Sequence, residues 1–222
     1  MSSSVVVAMD GPSGSGKSST SRGVASALGL RYLDTGAQFR AMTLWMLEHG
    51  VDIGNPAAVA ARCHQPVIDS GTDPSAPTIR LDGRDVAHEI RSGRVTGHVS
   101  AVSAVPEVRQ RILQLQRDII DGGGIVVEGR DIGSVVAPDA RVKVFLTADA
   151  AARAARRTAE NGSGSVETTR TDLLRRDAID SGRAAAPLVM PDDALHIDTT
   201  SCTLDEVVAR VVGLVEEVTG VR

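Results

Sequence analysis

Residues 11–18 combine glycines, small polar residues, a lysine and a hydroxyl residue at a spacing that can bind phosphate. Gly11 and Gly16 are five positions apart, and Lys17 and Ser18 follow directly. Glycines at this spacing let backbone N–H groups converge on a polyphosphate, and the lysine can reach the terminal phosphates. The Ser18 hydroxyl can ligate Mg²⁺ together with phosphate and water. We therefore expect a nucleoside triphosphate as the ligand and Ser18 as a metal ligand.

The segments on either side give this run the setting that phosphate binding requires. Residues 5–9 predict a short buried strand, and residues 19–28 predict a helix whose N-terminus faces the anion. A glycine-rich turn that binds nothing is the alternative, but the complete pattern between a strand and a helix disfavours it. The expected triphosphate-binding residues in this run are Gly11, Pro12, Ser13, Gly14, Ser15, Gly16, Lys17, Ser18 and Ser19.

The composition restricts the class of protein. The net charge of −4 on 222 residues disfavours a general nucleic-acid binder, which normally carries a basic excess. Cys63 and Cys202 match no metal-binding spacing, so we expect reduced thiols. The chain starts without a signal-like segment, and no stretch approaches the ~20 apolar residues of a membrane span. We expect a cytoplasmic monomer that binds neither nucleic acid nor a membrane.

The basic residues are almost all arginines, because Lys17 and Lys143 are the only lysines in the sequence. The planar guanidinium group binds phosphate in a bidentate way and keeps its charge, which would suit a site that holds several phosphates. A genome-wide codon bias toward arginine explains the total equally well. Only particular arginines therefore count as candidates.

The order of the predicted elements indicates the fold class. Strands alternate with helices after the phosphate-binding run, and residues 125–127 and 142–146 are continuous apolar runs typical of a parallel sheet covered on both faces. Thr203 and Glu206 form a capping-box pattern at the start of the last helix. We predict a single α/β domain over residues 1–222, with a doubly wound parallel sheet flanked by helices and its ligand at the carboxyl ends of the strands.

Two additions to this domain are predicted. Residues 52–94, termed the insert, contain two short extended runs around Asp82-Gly83, which is a type I′ hairpin signal. Residues 160–186, termed the lid segment, contain a flexible polar stretch at 161–165 and an arginine-bearing helix near 166–179. A mobile segment with cations at its tip can close over phosphates and exclude water. An exposed charged loop is the alternative for the lid segment.

Together these motifs resemble one family, the bacterial cytidylate kinases, which phosphorylate CMP and dCMP from ATP. The resemblance runs nearly end to end and rests on the order and spacing of several motifs. They are Asp10-Gly11-Pro12-Ser13-Gly14-Ser15-Gly16-Lys17, Leu33-Asp34-Thr35-Gly36-Ala37 with Arg40, Leu81-Asp82-Gly83-Arg84-Asp85-Val86 with Ile90-Arg91, Pro106-Glu107-Val108-Arg109, Glu128-Gly129-Arg130-Asp131-Ile132-Gly133 and Ala186-Pro187-Leu188. The resemblance implies that the insert binds the nucleoside monophosphate.

The resemblance also implies roles for individual residues. Thr35, Ser100, Arg109 and Asp131 would lie at the nucleoside end of CMP, with Ser100 and Arg109 near the cytosine edge. Asp131 and Asp180 would hold the sugar. Arg40, Arg130, Arg176 and Arg183 would surround the phosphates, with Lys17, Arg130 and Arg183 as the catalytic residues. Arg153 and Arg157 would lie near the ATP phosphates, where the alignment is loose and the exact roles of Arg153, Arg156 and Arg157 stay open.

The chain departs from the family pattern in a few places. Thr35 and Phe39 stand where many members have serine and tyrosine, so one hydroxyl is kept and the other lost. Ala178 and Ile179 stand in the lid segment where charged residues are common, which would weaken its closure.

The expected chemistry needs no strong general base, because a phosphate monoester oxygen is already anionic at neutral pH. Catalysis should consist of positioning and charge stabilisation by Lys17, Mg²⁺ and the arginines. A kinase that acts on a small-molecule hydroxyl, with Asp34 as its carboxylate, is one alternative. A GTP-hydrolysing switch is another, but the sequence lacks an Asn-Lys-x-Asp segment.

Overall fold

A five-stranded parallel sheet lies at the centre of the computed structural model, which describes residues 5–161, 165–183 and 185–220. Its strands follow the order β2-β6-β1-β7-β8. In chain order, the strands of the protein are β1 (Val6–Asp10), β2 (Arg31–Asp34), β3 (Ile68–Ser70), β4 (Ile79–Leu81), β5 (Arg84–Asp85), β6 (Ile125–Glu128), β7 (Val142–Thr147) and β8 (Leu195–Asp198). All neighbours in the central sheet are parallel, which confirms the predicted doubly wound class.

Helices follow the strands and cover the sheet. They are α1 (Lys17–Leu28), α2 (Thr35–Glu48), α3 (Pro56–Arg62), α4 (Gly93–Ser103), α5 (Pro106–Ile120), α6 (Ala150–Asn161), α7 (Val166–Gly182) and α8 (Leu204–Thr219). α1 begins two residues earlier than predicted, because Gly16 in the left-handed region (φ 87°) turns the chain directly into the helix. The predicted capping box of Thr203 and Glu206 is present at the start of α8.

Apolar packing fixes the position of β1 and β6 in the middle of the sheet. Val7, Ala8 and Met9 of β1 are fully buried, as are residues 125–127 of β6. β1 contributes to both faces, because Val7 and Met9 pack in the cluster with α1 and α8, whereas Ala8 packs with the residues after β6. The carboxyl ends of β2, β6 and β1 therefore meet at one edge, where the predicted site residues lie.

The insert forms a small antiparallel sheet of β3, β4 and β5 beside α2. Asp82 (φ 50°) and Gly83 (φ 80°) both adopt left-handed conformations between β4 and β5, which confirms the predicted type I′ hairpin. β3 was not predicted, because no turn signal marks it in the way that Asp82-Gly83 marks β4 and β5. The insert also contacts α2 directly, since Trp45 Nε1 donates to Asp82 Oδ2 over 3.1 Å.

The lid segment includes the end of α6 and all of α7, which pack against each other. α7 extends three residues beyond its predicted end, through Gly182. Residues 162–164, which belong to the predicted flexible stretch at 161–165, lie outside the described residues. Residue 184, further along the lid segment, also lies outside them. No helix in the described part of the chain combines the length and the apolar character that crossing a membrane requires.

Candidate active site

The glycine-rich loop between β1 and α1 approaches the neighbouring backbone too closely for side chains. Gly11 adopts φ 144°, and a Cβ atom there would lie 2.0 Å from the carbonyl oxygen of Leu146 on β7. Gly14 and Gly16 adopt left-handed conformations. The loop therefore presents backbone at the carboxyl end of β1, as phosphate binding requires.

Lys17 folds back over this loop. Its Nζ donates to the carbonyl oxygen of Pro12 over 2.7 Å and lies 3.5 Å from Ser15 Oγ. Burial lowers the pKa of Lys17 below its usual value, and the charge of Arg130 lowers it further. A bound polyphosphate would offset both effects, because an anion stabilises the charged amine.

A buried carboxylate that the sequence analysis did not assign lies beside the loop. Glu128, the last residue of β6, accepts hydrogen bonds from Ser18 Oγ (2.9 Å) and from the Tyr32 hydroxyl. Burial raises the pKa of Glu128 above its usual value, and the charge of Asp34 raises it further. The available signal was an acidic residue at the end of an apolar strand, directly before the Gly-Arg-Asp motif.

The Ser18 hydroxyl, oriented by Glu128, fits a magnesium ion, because hard oxygen ligands suit Mg²⁺ and one or two protein ligands are usual when phosphates supply the others. Within the described residues, no group of three or more His, Cys, Asp or Glu side chains could form a separate metal site.

The turn that follows β6 carries Arg130 and Asp131 into the cavity. Gly129 is required at its start, because a Cβ atom there would lie 2.6 Å from Ile132 Cδ1 and 2.7 Å from Thr35 Oγ1. Residues 132–136 then form a short π-helix, a local geometry that is frequent at functional sites.

Arg109 is held in place at the predicted nucleoside end. It pairs with Asp131, donates to the carbonyl oxygen of Ser103 over 3.2 Å, and its guanidinium carbon lies 5.3 Å from the centre of the Phe39 ring. Ser100 is buried on the neighbouring helix α4 and lines the same cavity. Arg109 therefore contacts Asp131 directly, and both line the same cavity as Ser100.

Thr35 lies at the start of α2 and is buried. Its hydroxyl donates to the backbone carbonyl of Glu128 over 2.7 Å, so the hydroxyl oxygen keeps only acceptor capacity toward the cavity. The preceding residue, Asp34, caps α2 by accepting from the Ala37 N–H over 3.0 Å.

Two arginines in the cavity, the half-buried Arg40 and the buried Arg176, lack carboxylate partners. Arg40 donates only to the carbonyl oxygen of Ile90 and to Thr96 Oγ1, and Arg176 Nε has no hydrogen-bond partner. Within the described residues, neither guanidinium group has a carboxylate oxygen within 4.0 Å. Burial is the main cause that lowers the pKa of Arg40 to about 9 and that of Arg176 to about 10, and neighbouring arginines add to both shifts.

The remaining predicted phosphate contacts converge on Asp180 of α7. Its carboxylate lies 3.0 Å from Arg130 Nε and 3.8 Å from Arg183 Nη1. Burial lowers the pKa of Arg183. The Asp180 carboxylate thus interacts with Arg130 of the turn after β6 and with Arg183 of the lid segment.

Arg153 and Arg157 of α6 occupy different surroundings. Arg157 lines the cavity and pairs with Glu160 over 3.0 Å. Arg153 does not line it, because it pairs with Asp177 of α7 and donates to the carbonyl oxygens of Ala148 (3.1 Å) and Ser13 (3.2 Å). Arg153 therefore connects α7 to the phosphate-binding loop in this structure.

One continuous cavity contains most of the predicted residues. Those that line it are Ser13, Gly14, Gly16, Lys17, Ser18, Ser19, Thr35, Arg40, Ser100, Arg109, Arg130, Asp131, Arg157, Arg176, Asp180 and Arg183. Glu128, Phe39 and Arg91 also line it and were not predicted as site residues. Arg91 pairs with Asp34 over 3.6 Å at the rim.

Comparison with known proteins identifies the family. A model of the cytidylate kinase family matches residues 7–217. The chain belongs to the cytidylate kinase family. The cytidylate kinase of Streptomyces griseus is 60% identical over 216 residues, which cover 96% of this chain and 94% of that protein. The cytidylate kinase of Mycobacterium leprae is 48% identical, with 97% of each chain covered.

A solved structure of low sequence identity supports the fold of this cytidylate kinase family member. An uncharacterized protein from Eubacterium ventriosum is 11% identical and gives a TM-score of 0.53, with 96% of this chain and 98% of that chain covered. At this identity the similarity concerns the fold alone.

Proposed function

We propose that the protein transfers the γ-phosphoryl group of ATP to CMP or dCMP, giving ADP and CDP or dCDP. The observation that carries this proposal is a pair of arginines without carboxylate partners, the half-buried Arg40 and the buried Arg176, in the same cavity as the phosphate-binding loop. Cations that are shielded from water without anionic partners are costly, so their position is best explained by an anionic ligand. Membership in the cytidylate kinase family supports a nucleoside monophosphate as that ligand.

The donor end would bind ATP through the loop backbone and Lys17. The N–H groups of residues 13–19 at the start of α1 would surround the phosphates, and Lys17 would leave the Pro12 carbonyl to contact them. Ser18 would hold Mg²⁺, and Glu128 would orient the Ser18 hydroxyl through the hydrogen bond between them. When bound, Mg²⁺ would neutralise charge on the phosphate oxygens.

The acceptor end would bind CMP with its phosphate toward the donor. Arg40, Arg130, Arg176 and Arg183 would contact the phosphate, while Asp131 and Asp180 would accept from the sugar hydroxyls. Ser100 and Arg109 would contact the cytosine edge, and Thr35 would accept a hydrogen bond. The Arg109–Asp131 and Arg130–Asp180 pairs fix these side chains before substrate arrives, which lowers the entropy cost of orienting the acceptor.

The reaction would proceed by alignment and electrostatic stabilisation. The acceptor phosphate oxygen attacks the γ-phosphorus, and the bond from that phosphorus to the β–γ bridging oxygen breaks, so that ADP leaves. Lys17, Arg130 and Arg183 would stabilise the charge that spreads over the transferred group. No proton must be removed from the acceptor for the attack.

The lid segment and the insert would exclude water from this reaction. The lid segment carries Arg176, Asp180 and Arg183, so its movement would bring these groups to the phosphates or remove them. We retain residues 52–94 as the nucleoside monophosphate-binding subdomain and residues 160–186 as the lid in this proposal.

A coupled assay for ADP release tests the proposal. The protein is supplied with ATP and Mg²⁺, and CMP, dCMP, UMP, AMP, GMP and shikimate are offered separately. High activity with CMP and dCMP and low activity with the purine monophosphates is the expected result. Activity only with a hydroxyl acceptor, or ATP hydrolysis that no acceptor stimulates, would contradict it.

A further inference from the structure

Asp10, the last residue of β1, is a buried carboxylate that the proposed reaction does not use. Its exposed fraction is 2%, and it does not line the cavity. Its two oxygens accept hydrogen bonds from the backbone N–H groups of Ile132 (2.8 Å) and Gly133 (2.7 Å). Both oxygens of this side chain therefore accept hydrogen bonds from the turn after β6.

The two N–H groups directly follow Arg130 and Asp131 in the chain. They are the first of the π-helix at 132–136, where no preceding turn of helix can supply acceptors. A third bond runs from the Gly129 N–H to the Met9 carbonyl oxygen over 3.0 Å. The segment that carries Arg130 and Asp131 is thus attached on both sides to the end of β1, where the phosphate-binding loop begins.

This arrangement costs folding stability at neutral pH. Burial raises the pKa of Asp10 to about 6, an effect larger than the opposing effect of the N–H groups of Gly133 and Ile132. Because the folded state binds the proton more tightly than the unfolded state, its stability decreases as the pH rises from about 4 to about 6. A charged group that reduces stability at working pH is typical of a site arranged for function.

We propose that Asp10 is a positioning residue. It fixes the position of the turn that carries Arg130 and Asp131 relative to the phosphate-binding loop. One carboxylate thereby fixes the acceptor-binding groups relative to the donor-binding backbone. The inference rests on the proposed CMP site, because it assumes that Arg130 and Asp131 bind CMP. Asp10 acts only through these residues and contacts neither substrate.

The test uses Asp10→Asn and Asp10→Ala in the full chain, with steady-state kinetics in which CMP and ATP are varied separately. Asparagine retains one acceptor and alanine none, so the effects should be graded. We expect kcat/KM for CMP to fall about 10- to 100-fold in Asp10→Ala, as for other residues that orient contact groups. The KM for ATP should stay within about twofold.

Amide hydrogen exchange measured by NMR provides a readout besides activity. The Ile132 and Gly133 amides should both exchange faster in Asp10→Ala, and at least one of them in Asp10→Asn, while amides in the middle of β6 keep their protection. Unchanged exchange at residues 132 and 133 would overturn the inference.

Two controls separate the possible failures. Val7→Ala creates a cavity in β1 without touching the carboxylate, and it should lower thermal stability while leaving both KM values unchanged.

Arg130→Ala tests the underlying site. If Arg130→Ala lowers kcat/KM for CMP and the Asp10 variants do not, the positioning role is wrong and the site stands. If Arg130→Ala has no effect on CMP, the proposed CMP site itself is wrong. An equal rise in the KM for ATP in the Asp10 variants would indicate an effect through Lys17 and would also overturn the inference.

Discussion

The donor end and the acceptor end of the cavity are built in different ways. The donor end consists of one continuous stretch, residues 11–19, whose backbone and lysine would do most of the binding in the proposed function. The acceptor end consists of side chains from α2, α4, α5, α7 and the turn after β6. A site of the first kind depends on local conformation, whereas a site of the second kind depends on how distant elements pack.

The two ends also carry charge differently. Lys17 is the one cation of the donor loop, and it has the Pro12 carbonyl as a partner in the structure described here. Several arginines lie together at the acceptor end, where, besides burial, the charge of Arg176 lowers the pKa of Arg40 and the charge of Arg130 lowers the pKa of Arg176. The acceptor end therefore contains repulsion between arginine charges that an anion would relieve, whereas the cation of the donor loop already has an oxygen partner.

The largest effect is expected for Lys17→Ala at the donor end. Because Lys17 would act chiefly in the transition state, kcat should fall by at least about 100-fold with a small change in KM. Steady-state measurement of ADP release checks this expectation. Lys143→Ala is the matched control, since that lysine pairs with Asp193 outside the cavity and its loss should leave kcat unchanged. Near-normal turnover of Lys17→Ala would contradict the proposed mechanism.

Arg176→Met should have the next largest effect and should separate stability from activity. The kcat/KM for CMP should fall about 10- to 100-fold, because a charge-assisted phosphate contact is lost. Stability should rise, because burial disfavours the charged group in the folded state and methionine keeps apolar contacts. Kinetics and urea unfolding measure both quantities. Arg175 is exposed and pairs with Asp172, so Arg175→Met is the control and should change neither kcat/KM for CMP nor stability. A loss of stability in Arg176→Met would contradict the account of repulsion between the arginine charges.

Arg109→Ala should produce a smaller effect, confined to recognition of the base. We expect the KM for CMP to rise about tenfold and the preference for CMP over UMP to decrease, because a group that hydrogen-bonds a polar edge is lost. Competition kinetics with the two monophosphates measures the preference. Gln110→Ala, the exposed neighbour on α5, serves as the control. An unchanged preference would show that Arg109 does not read the cytosine edge.

Thr35→Ser should have the smallest effect. Serine keeps the hydroxyl that donates to the Glu128 carbonyl, so kcat/KM for CMP should stay within about twofold. Thr35→Val has the same shape and removes the hydroxyl, so the loss should exceed that of Thr35→Ser. Equal activity of the two variants would mean that the hydroxyl has no role at the acceptor end.

The contrast between the two ends explains how far the sequence could predict the site. The loop at 11–18 and the Asp82-Gly83 hairpin follow from local chain geometry, which residue type determines directly. The assignments of Arg40, Arg109 and Arg176 required the family resemblance, because nothing local indicates which arginines share a cavity. Their presence in one cavity is now observed, while their roles stay predictions.

Tertiary packing accounts for what the sequence did not reveal. Glu128 and Asp10 each end a strand of apolar residues. Their roles depend on the hydrogen-bond partners that the packing of β2, β6 and β1 places beside them. Arg153 was expected near the ATP phosphates, but its partners Asp177 and Ser13 are known only once α6 and α7 are packed. The strand order of the central sheet likewise depends on long-range pairing.

Trp45 is the only tryptophan in the sequence, and its indole N–H is bonded to Asp82 of the insert while its ring stacks on His49 with centroids 3.9 Å apart. The indole therefore spans the boundary between α2 and the insert. Its fluorescence is a built-in optical signal for that boundary, and a change on adding nucleotide would report movement of the insert in the native sequence without an added dye.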